Sequence, residues 1–269
     1  MLEHLVDVVL YFDGESAASE VRWLHCHKNR FGPNEVGVFH LTDNGFVAMS
    51  ESSMSFVSHM ENAPEGVAWC VTNQGSQGSR FVVAEVQALT NPMFSYGEGG
   101  GGRPRKTKSS GVPLERIEWL SAVIAKHVPH GKVLNQSDLF INVIGGLQTS
   151  DRGNDLAFAM AMASSALGRE VVWPKTRKRS GIAFIGEIGL TGDVRSAHGM
   201  WPRINAALKA GLAQVVIPKR WWLEHASDRG TDFKGMQVTP VESLRDAVHI
   251  CLSPEKDQPK AARSSKSKM

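Results

Sequence analysis

The chain has 269 residues, 42% of them hydrophobic and 21% charged, with a formal net charge of +3. That composition describes a soluble globular chain of one large or two small domains, without the run of roughly 18 apolar residues that a membrane span needs. The three scattered cysteines, Cys26, Cys70 and Cys251, are odd in number and lack CxxC spacing, which argues against a disulfide framework or a zinc site and for free thiols in a reducing cytoplasm.

The N-terminal stretch carries Glu3 and Asp7 among apolar residues and has no basic lead-in, so it reads as a strand and not as a secretory signal. Residues 5–12 (LVDVVLYF) and 35–41 (EVGVFHL) read as strands joined by HKNRFGPN, and Asp43-Asn44-Gly45 marks a turn into FVAMS. Fewer than sixty residues with so little helix make a ribbon of strands, not a self-sufficient core. Two further strands follow at 66–72 and 80–89. The Gly-rich basic stretch at 96–112 has no apolar periodicity and reads as a flexible loop.

Pro113 opens a helix, LERIEWLSAVIAKH, with Leu114, Ile117, Leu120 and Ile124 along one face. DLFINVIGG is a continuous apolar run ending in two glycines, the pattern of a buried strand. Asp151 or Asn154 can cap the next helix, DLAFAMAMASSAL, which is apolar nearly all round and so should be central; Gly168 ends it. GIAFIGEIGL reads as a strand, a helix starting at Pro202 runs to Gly211, QVVIP is a short strand, and a last helix occupies 241–252 before a basic tail at 255–269.

The positive charge is uneven. The segment 97–111, the run PKTRKR and the tail 256–269 together carry eleven net positive charges, leaving the rest of the chain at minus eight. Basic loops suit a phosphate backbone, and solvated linkers have the same composition.

The order FINVIGG, then helix, then IGEIGLTGDVRS, then HGMWPRINAALKAGL resembles the proteolytic domain of Lon across about eighty residues. With KNRFGPNEVGVFHLTDNG upstream, the set of blocks resembles the RadA (also called Sms) family of bacterial DNA-repair proteins. That family joins a RecA-like ATPase to a Lon-like domain. The resemblance implies an α/β fold in which the end of a RecA-like core, residues 1–60, precedes a Lon-protease-like mixed α/β domain at 61–254. The family also carries a four-cysteine zinc finger and a GxxxxGK[ST] phosphate loop, and this sequence contains neither.

By the same resemblance, the positions of the Lon serine–lysine dyad fall at Gly153 and Arg203. Glycine has no nucleophile and arginine does not act as a base, so no peptidase chemistry is expected. Ser164 and Ser165 lie too far along the helix and read as packing or capping residues. The KNRFG residues Lys28, Asn29, Arg30, Phe31 and Gly32 are implied to reach across a subunit boundary toward a neighbour's nucleotide, with Asn29 holding the turn and Phe31 anchoring it in apolar packing. On its own, a turn of this composition reads as solvent-facing; the family blocks on either side reverse that in favour of the contact. Candidate DNA contacts are Arg103, Arg105, Lys106, Lys108, Lys175, Arg177, Lys178 and Arg179.

No cofactor is expected on this chain alone, whereas ATP and Mg belong to the full-length family. Implied partners are single-stranded or branched DNA, a RecA-type recombinase and further copies in a hexamer, with no membrane. The leading expectation is a cytoplasmic recombinational-repair protein acting in branch migration. The alternatives are an ATP-independent scaffold or DNA-binding module and, remotely, a peptidase using other residues.

Overall fold

The computed structural model describes residues 4–13, 21–32, 36–48, 63–73, 81–93, 104–174, 179–225, 233 and 235–254. Its strands form two main sheets that share no pairing. Strands β1 (Val8–Asp13), β2 (Val21–Asn29), β3 (Val36–Thr42) and β4 (Gly45–Ala48) make a four-stranded antiparallel meander in sequence order. Strand β2 was not foreseen, and it absorbs Lys28 and Asn29, which the sequence placed in a connection. On one face Phe12 stacks on Phe46 with ring centroids 4.8 Å apart and meets Phe39 edge-on. Yet Leu10, Phe12 and Phe46 remain about half exposed, so the ribbon buries little by itself. The expected boundary at 60/61 falls outside the described residues.

The second sheet is mixed and seven-stranded. It contains β5 (Val67–Asn73), β6 (Phe81–Pro92), β7 (Thr107–Ser110), β8 (Ser137–Val143), β9 (Ile182–Phe184), β12 (Gln214–Pro218) and β13 (Gln237–Val241), in the order β13-β12-β9-β5-β6-β8-β7. β5 pairs antiparallel with β6 and β6 with β8, while the remaining neighbours run parallel. The core follows from continuous apolar runs: β5 is buried along all but its last residue. This α/β architecture is the expected fold class.

Helices α1 (Leu114–His127), α2 (Asp155–Leu167) and α5 (Leu244–Cys251) pack on one another, and α2 also lies on β5 and β6. Every residue of α2 from Asp155 to Ser164 is buried, as a helix apolar on all sides requires. Gly168 ends it with φ at 61°, a left-handed torsion that glycine adopts without a Cβ penalty. Helix α3 (Met200–Lys209) packs against β5 and β6 and begins two residues before Pro202; α4 (Lys219–Glu224) is a short addition after β12.

Three expectations need correction. The loop expected over 96–112 is in its later part the edge strand β7, paired parallel with β8; its TKSS sequence lacks apolar periodicity because an edge strand has little to bury. GIAFIGEIGL is broken at Ile185-Gly186 into β9 and β10 (Glu187–Ile188), the latter pairing with β11 (Val194–Arg195). The terminal helix is shorter than expected because residues up to Val241 belong to β13.

At its start, α5 carries a full capping box: Ser243 accepts from the Asp246 amide at 3.2 Å and Asp246 accepts from the Ser243 amide at 3.0 Å. Ser243→Ala is expected to cost about 1 kcal/mol in urea denaturation. An unchanged midpoint would show that α5 does not depend on its cap.

Candidate functional site

The residues at the implied dyad positions face each other. Arg203, on the first turns of α3, is 1% exposed. Its Nε donates to the His198 carbonyl at 2.8 Å, one terminal nitrogen to the Asp151 carboxylate at 2.5 Å and the other to the Val71 carbonyl. The guanidinium also lies 4.6 Å from the centroid of the Phe81 ring.

Asp151 completes the arrangement from the turn before α2. Its second oxygen accepts from the Gly153 amide at 2.9 Å, and Asn73 donates its amide to the first at 3.3 Å. A Cβ built on Gly153 would sit 2.7 Å from the Arg203 guanidinium and 2.8 Å from Ala197 Cβ. Glycine here makes room for the arginine. A polar cavity of about 350 Å³ opens beside this cluster, lined by Asn73, Thr149, Asp151, His198 and Arg203.

The two serines of α2 are engaged elsewhere. Ser164 accepts from the Gly66 amide at 2.8 Å and donates to the Arg169 carbonyl at 2.6 Å, and Ser165 bonds Thr90. Both serines tie α2 to the chain around β6. Burial pushes the Cys70 and Cys251 thiols up to about 12, so neither supplies a thiolate at neutral pH.

Two residues beyond Gly153, Asp155 is fully buried: its Oδ1 accepts from Arg116 Nε at 2.8 Å, and its Oδ2 accepts from the Ile188 amide at 3.1 Å and from a terminal nitrogen of Arg116. Burial raises the Asp155 carboxyl above its ordinary value, opposed by Arg116. No sequence signal joined these two residues, 39 positions apart.

The KNRFG turn stands at the end of β2. Asn29 Oδ1 accepts from the Phe31 amide at 3.1 Å, so Asn29 does close the turn. Lys28 Nζ donates to the Val6 carbonyl at 2.7 Å, and Arg30 pairs with Asp7 at 3.1 Å. Phe31 departs from expectation: it is 80% exposed. The turn is held by hydrogen bonds and one ion pair, which leaves its ring free to point into solvent. Because the Arg30 and Asp7 side chains are 75% and 51% exposed, their pair contributes little to stability.

Of the candidate DNA contacts, Arg103, Lys175, Arg177 and Lys178 lie outside the described residues. Lys106 and Lys108 project from the edge of the large sheet and are exposed. Arg105 is turned back onto α1, donating to Ser121 at 2.9 Å, and Arg179 donates to the Leu208 and Leu212 carbonyls at the end of α3. Among the described residues no group of His, Cys, Asp and Glu could hold a metal ion, and no helix is long and apolar enough to cross a membrane.

Residues 119–253 match the Lon protease (S16) C-terminal proteolytic domain, and the chain belongs to that family. More specifically, it is similar to proteins named DNA repair protein RadA. The protein of Halalkalibacterium halodurans is 34% identical over 257 residues, covering 94% of this chain and 50% of the relative. That of Streptococcus pyogenes serotype M1 is 37% identical over 255 residues, 94% and 51%, and that of Aquifex aeolicus 33% over 252 residues, 93% and 50%. The chain thus spans about half the length of the curated relatives it matches, consistent with a RadA C-terminal portion.

Proposed function

We propose that this chain is the DNA-contacting, oligomer-forming portion of a RadA-type recombinational-repair protein. The observation that carries the reading is the extent of the likeness. It covers 94% of the chain, well beyond the 119–253 match to the proteolytic domain, and so takes in most of the region that holds the KNRFG ribbon. The proteolytic domain serves here as a platform, because the dyad positions are occupied by Gly153 and an Arg203 whose three nitrogens each hold a hydrogen bond.

In this reading Lys106, Lys108 and the basic segments outside the described residues track the phosphates of single-stranded or branched DNA without reading bases. Copies assemble into a hexamer in which the Arg30 tip reaches a neighbour's nucleotide, and the assembly acts in branch migration beside a RecA-type recombinase. The nucleotide and its Mg would sit on a phosphate loop that this sequence does not contain. Lys28, Arg30 and Phe31 could only complete such a site from outside, and no step of hydrolysis is assigned to this chain. An ATP-independent scaffold or DNA-binding module is the second reading, favoured by the local partners that Lys28 and Arg30 already have.

Fluorescence anisotropy with a labelled single strand tests the DNA contact. The double variant Lys106→Gln/Lys108→Gln should weaken binding roughly tenfold at low salt and reduce the slope of log affinity against log salt by about 2. An unchanged slope would remove the β7 contact. Sedimentation velocity tests the platform, where a monomer at every concentration and with DNA present would refute the hexamer. ATP turnover by the purified chain alone would overturn the absence of a nucleotide site of its own.

A further inference from the structure

Where α1 and α2 end, beside α5, the surface folds into a cleft of about 470 Å³ lined by His130, Arg169, Arg245 and His249, with Asp246 as its acid. These four basic residues come from three separate stretches of chain, and none belongs to the basic loops or the KNRFG turn. Arg245 uses only Nε internally, donating to the His127 carbonyl at 3.2 Å. Arg169 donates through Nε to the Ser253 carbonyl and through one terminal nitrogen to the Leu252 carbonyl at 3.2 Å.

Both guanidiniums thus satisfy helix-end carbonyls with part of their donors. Among the described residues neither has a carboxylate partner, and the terminal nitrogens of Arg245 have no partner at all. Asp246 is held by the capping box, its Oδ2 accepting from the Ser243 amide and hydroxyl at 3.0 and 2.8 Å. Helix-end capping explains why cations stand here; it does not explain the donors left over or the cavity between them.

His130 supplies a second, independent observation. It is the one non-glycine among the described residues with positive φ, at 60°. A side chain kept at a torsion that glycine would adopt more easily points to a role for the imidazole.

The geometry points to a phosphate-binding cleft: Arg245 and Arg169 provide charged donors, and His130 and His249 add N–H groups at the rim. A tetrahedral phosphate ester, with three or more acceptor oxygens, fits a site built of donors from several directions. The group could belong to a nucleic-acid backbone or to a free phosphate compound. This inference does not rest on the proposed repair function, because either source has the same chemistry.

Isothermal titration of the full chain with pyrophosphate, paired with anisotropy on a labelled single strand, tests it. Arg245→Gln should lower pyrophosphate affinity about tenfold, as expected for a lost charged hydrogen bond. His130→Gly should lower it about threefold while the melting temperature stays level or rises, because glycine relieves the left-handed torsion. That combination separates binding from folding even if Arg245→Gln is unstable.

Weakening of both probes assigns the cleft to backbone phosphates, and weakening of pyrophosphate alone assigns it to free phosphate compounds. Titration of both variants like the parent chain, or no saturable pyrophosphate binding by the parent, overturns the cleft. If the Lys106/Lys108 variant loses oligonucleotide binding while both cleft variants behave normally, the DNA reading stands and the cleft falls.

Discussion

Arg203→Ala is expected to be the most damaging single substitution in the large domain, at about 3–5 kcal/mol, the usual cost of breaking a buried ion pair by removing one partner. Arg203 is 1% exposed and its three donating nitrogens serve His198, Asp151 and Val71. Alanine takes the arginine's donors from the buried Val71 carbonyl and the part-buried His198 carbonyl, and leaves a carboxylate without its counter-ion and a cavity against the Phe81 ring. In a domain of this size the loss corresponds to a fall of about 10 °C in melting temperature.

The pair is separated from the rest of the effect by a double-mutant cycle. Asp151→Ala/Arg203→Ala should cost less than the sum of the single changes, because the second removes a partner already stranded. A loss below about 1 kcal/mol for Arg203→Ala would show that water reaches the site and replaces the arginine.

Arg116→Met should produce the second large effect, and one that depends on pH. Removing Arg116 leaves the buried Asp155 carboxylate with the Ile188 amide as its remaining donor, again a cost of about 3–5 kcal/mol at neutral pH. Asp155 already has its pKa raised above 3.8 by burial, with Arg116 acting against that rise; without Arg116 it rises further. A carboxyl with a raised folded-state pKa binds its proton more tightly when folded, so ionisation above that pKa destabilises the fold.

As pH falls through the variant's further-raised pKa, the variant should therefore recover stability relative to the parent chain, with recovery complete once the pH is below the parent's own, less raised, folded-state value. Urea midpoints of the two proteins across the acid range measure this. A stability gap that widens as pH falls would contradict it. Asp155→Asn, which removes the charge and keeps the volume, should cost less than Arg116→Met at neutral pH.

The parts of the fold legible in the sequence were those whose residues face one environment throughout. β5 and α2 are buried nearly everywhere and show it as unbroken apolar runs. The elements that escaped have mixed surroundings. β2 reads VRWLHCHKN, where histidines and an arginine interrupt any alternation; β7 is polar because it is an edge, and β13 carries Pro240 inside QVTPV.

At the candidate sites, motif likeness found Gly153 and Arg203 and marked the KNRFG turn. It did not find that Asp151, read only as a cap, also holds the arginine 52 positions away. Nor did it gather His130, Arg169, Arg245 and His249, which carry no shared spacing and meet only because three helices end or pass together.

The contact between Gly153 and Arg203 also bears on the history open to this chain. Placing a serine at 153 first would drive its Cβ into the guanidinium; placing a lysine at 203 first would give up bonds to carbonyls that one ammonium cannot replace in the same geometry. Either order passes through a less stable intermediate. The two positions are mutually entrenched: neither side chain can change alone without loss of stability, whatever task reshapes the surface around them.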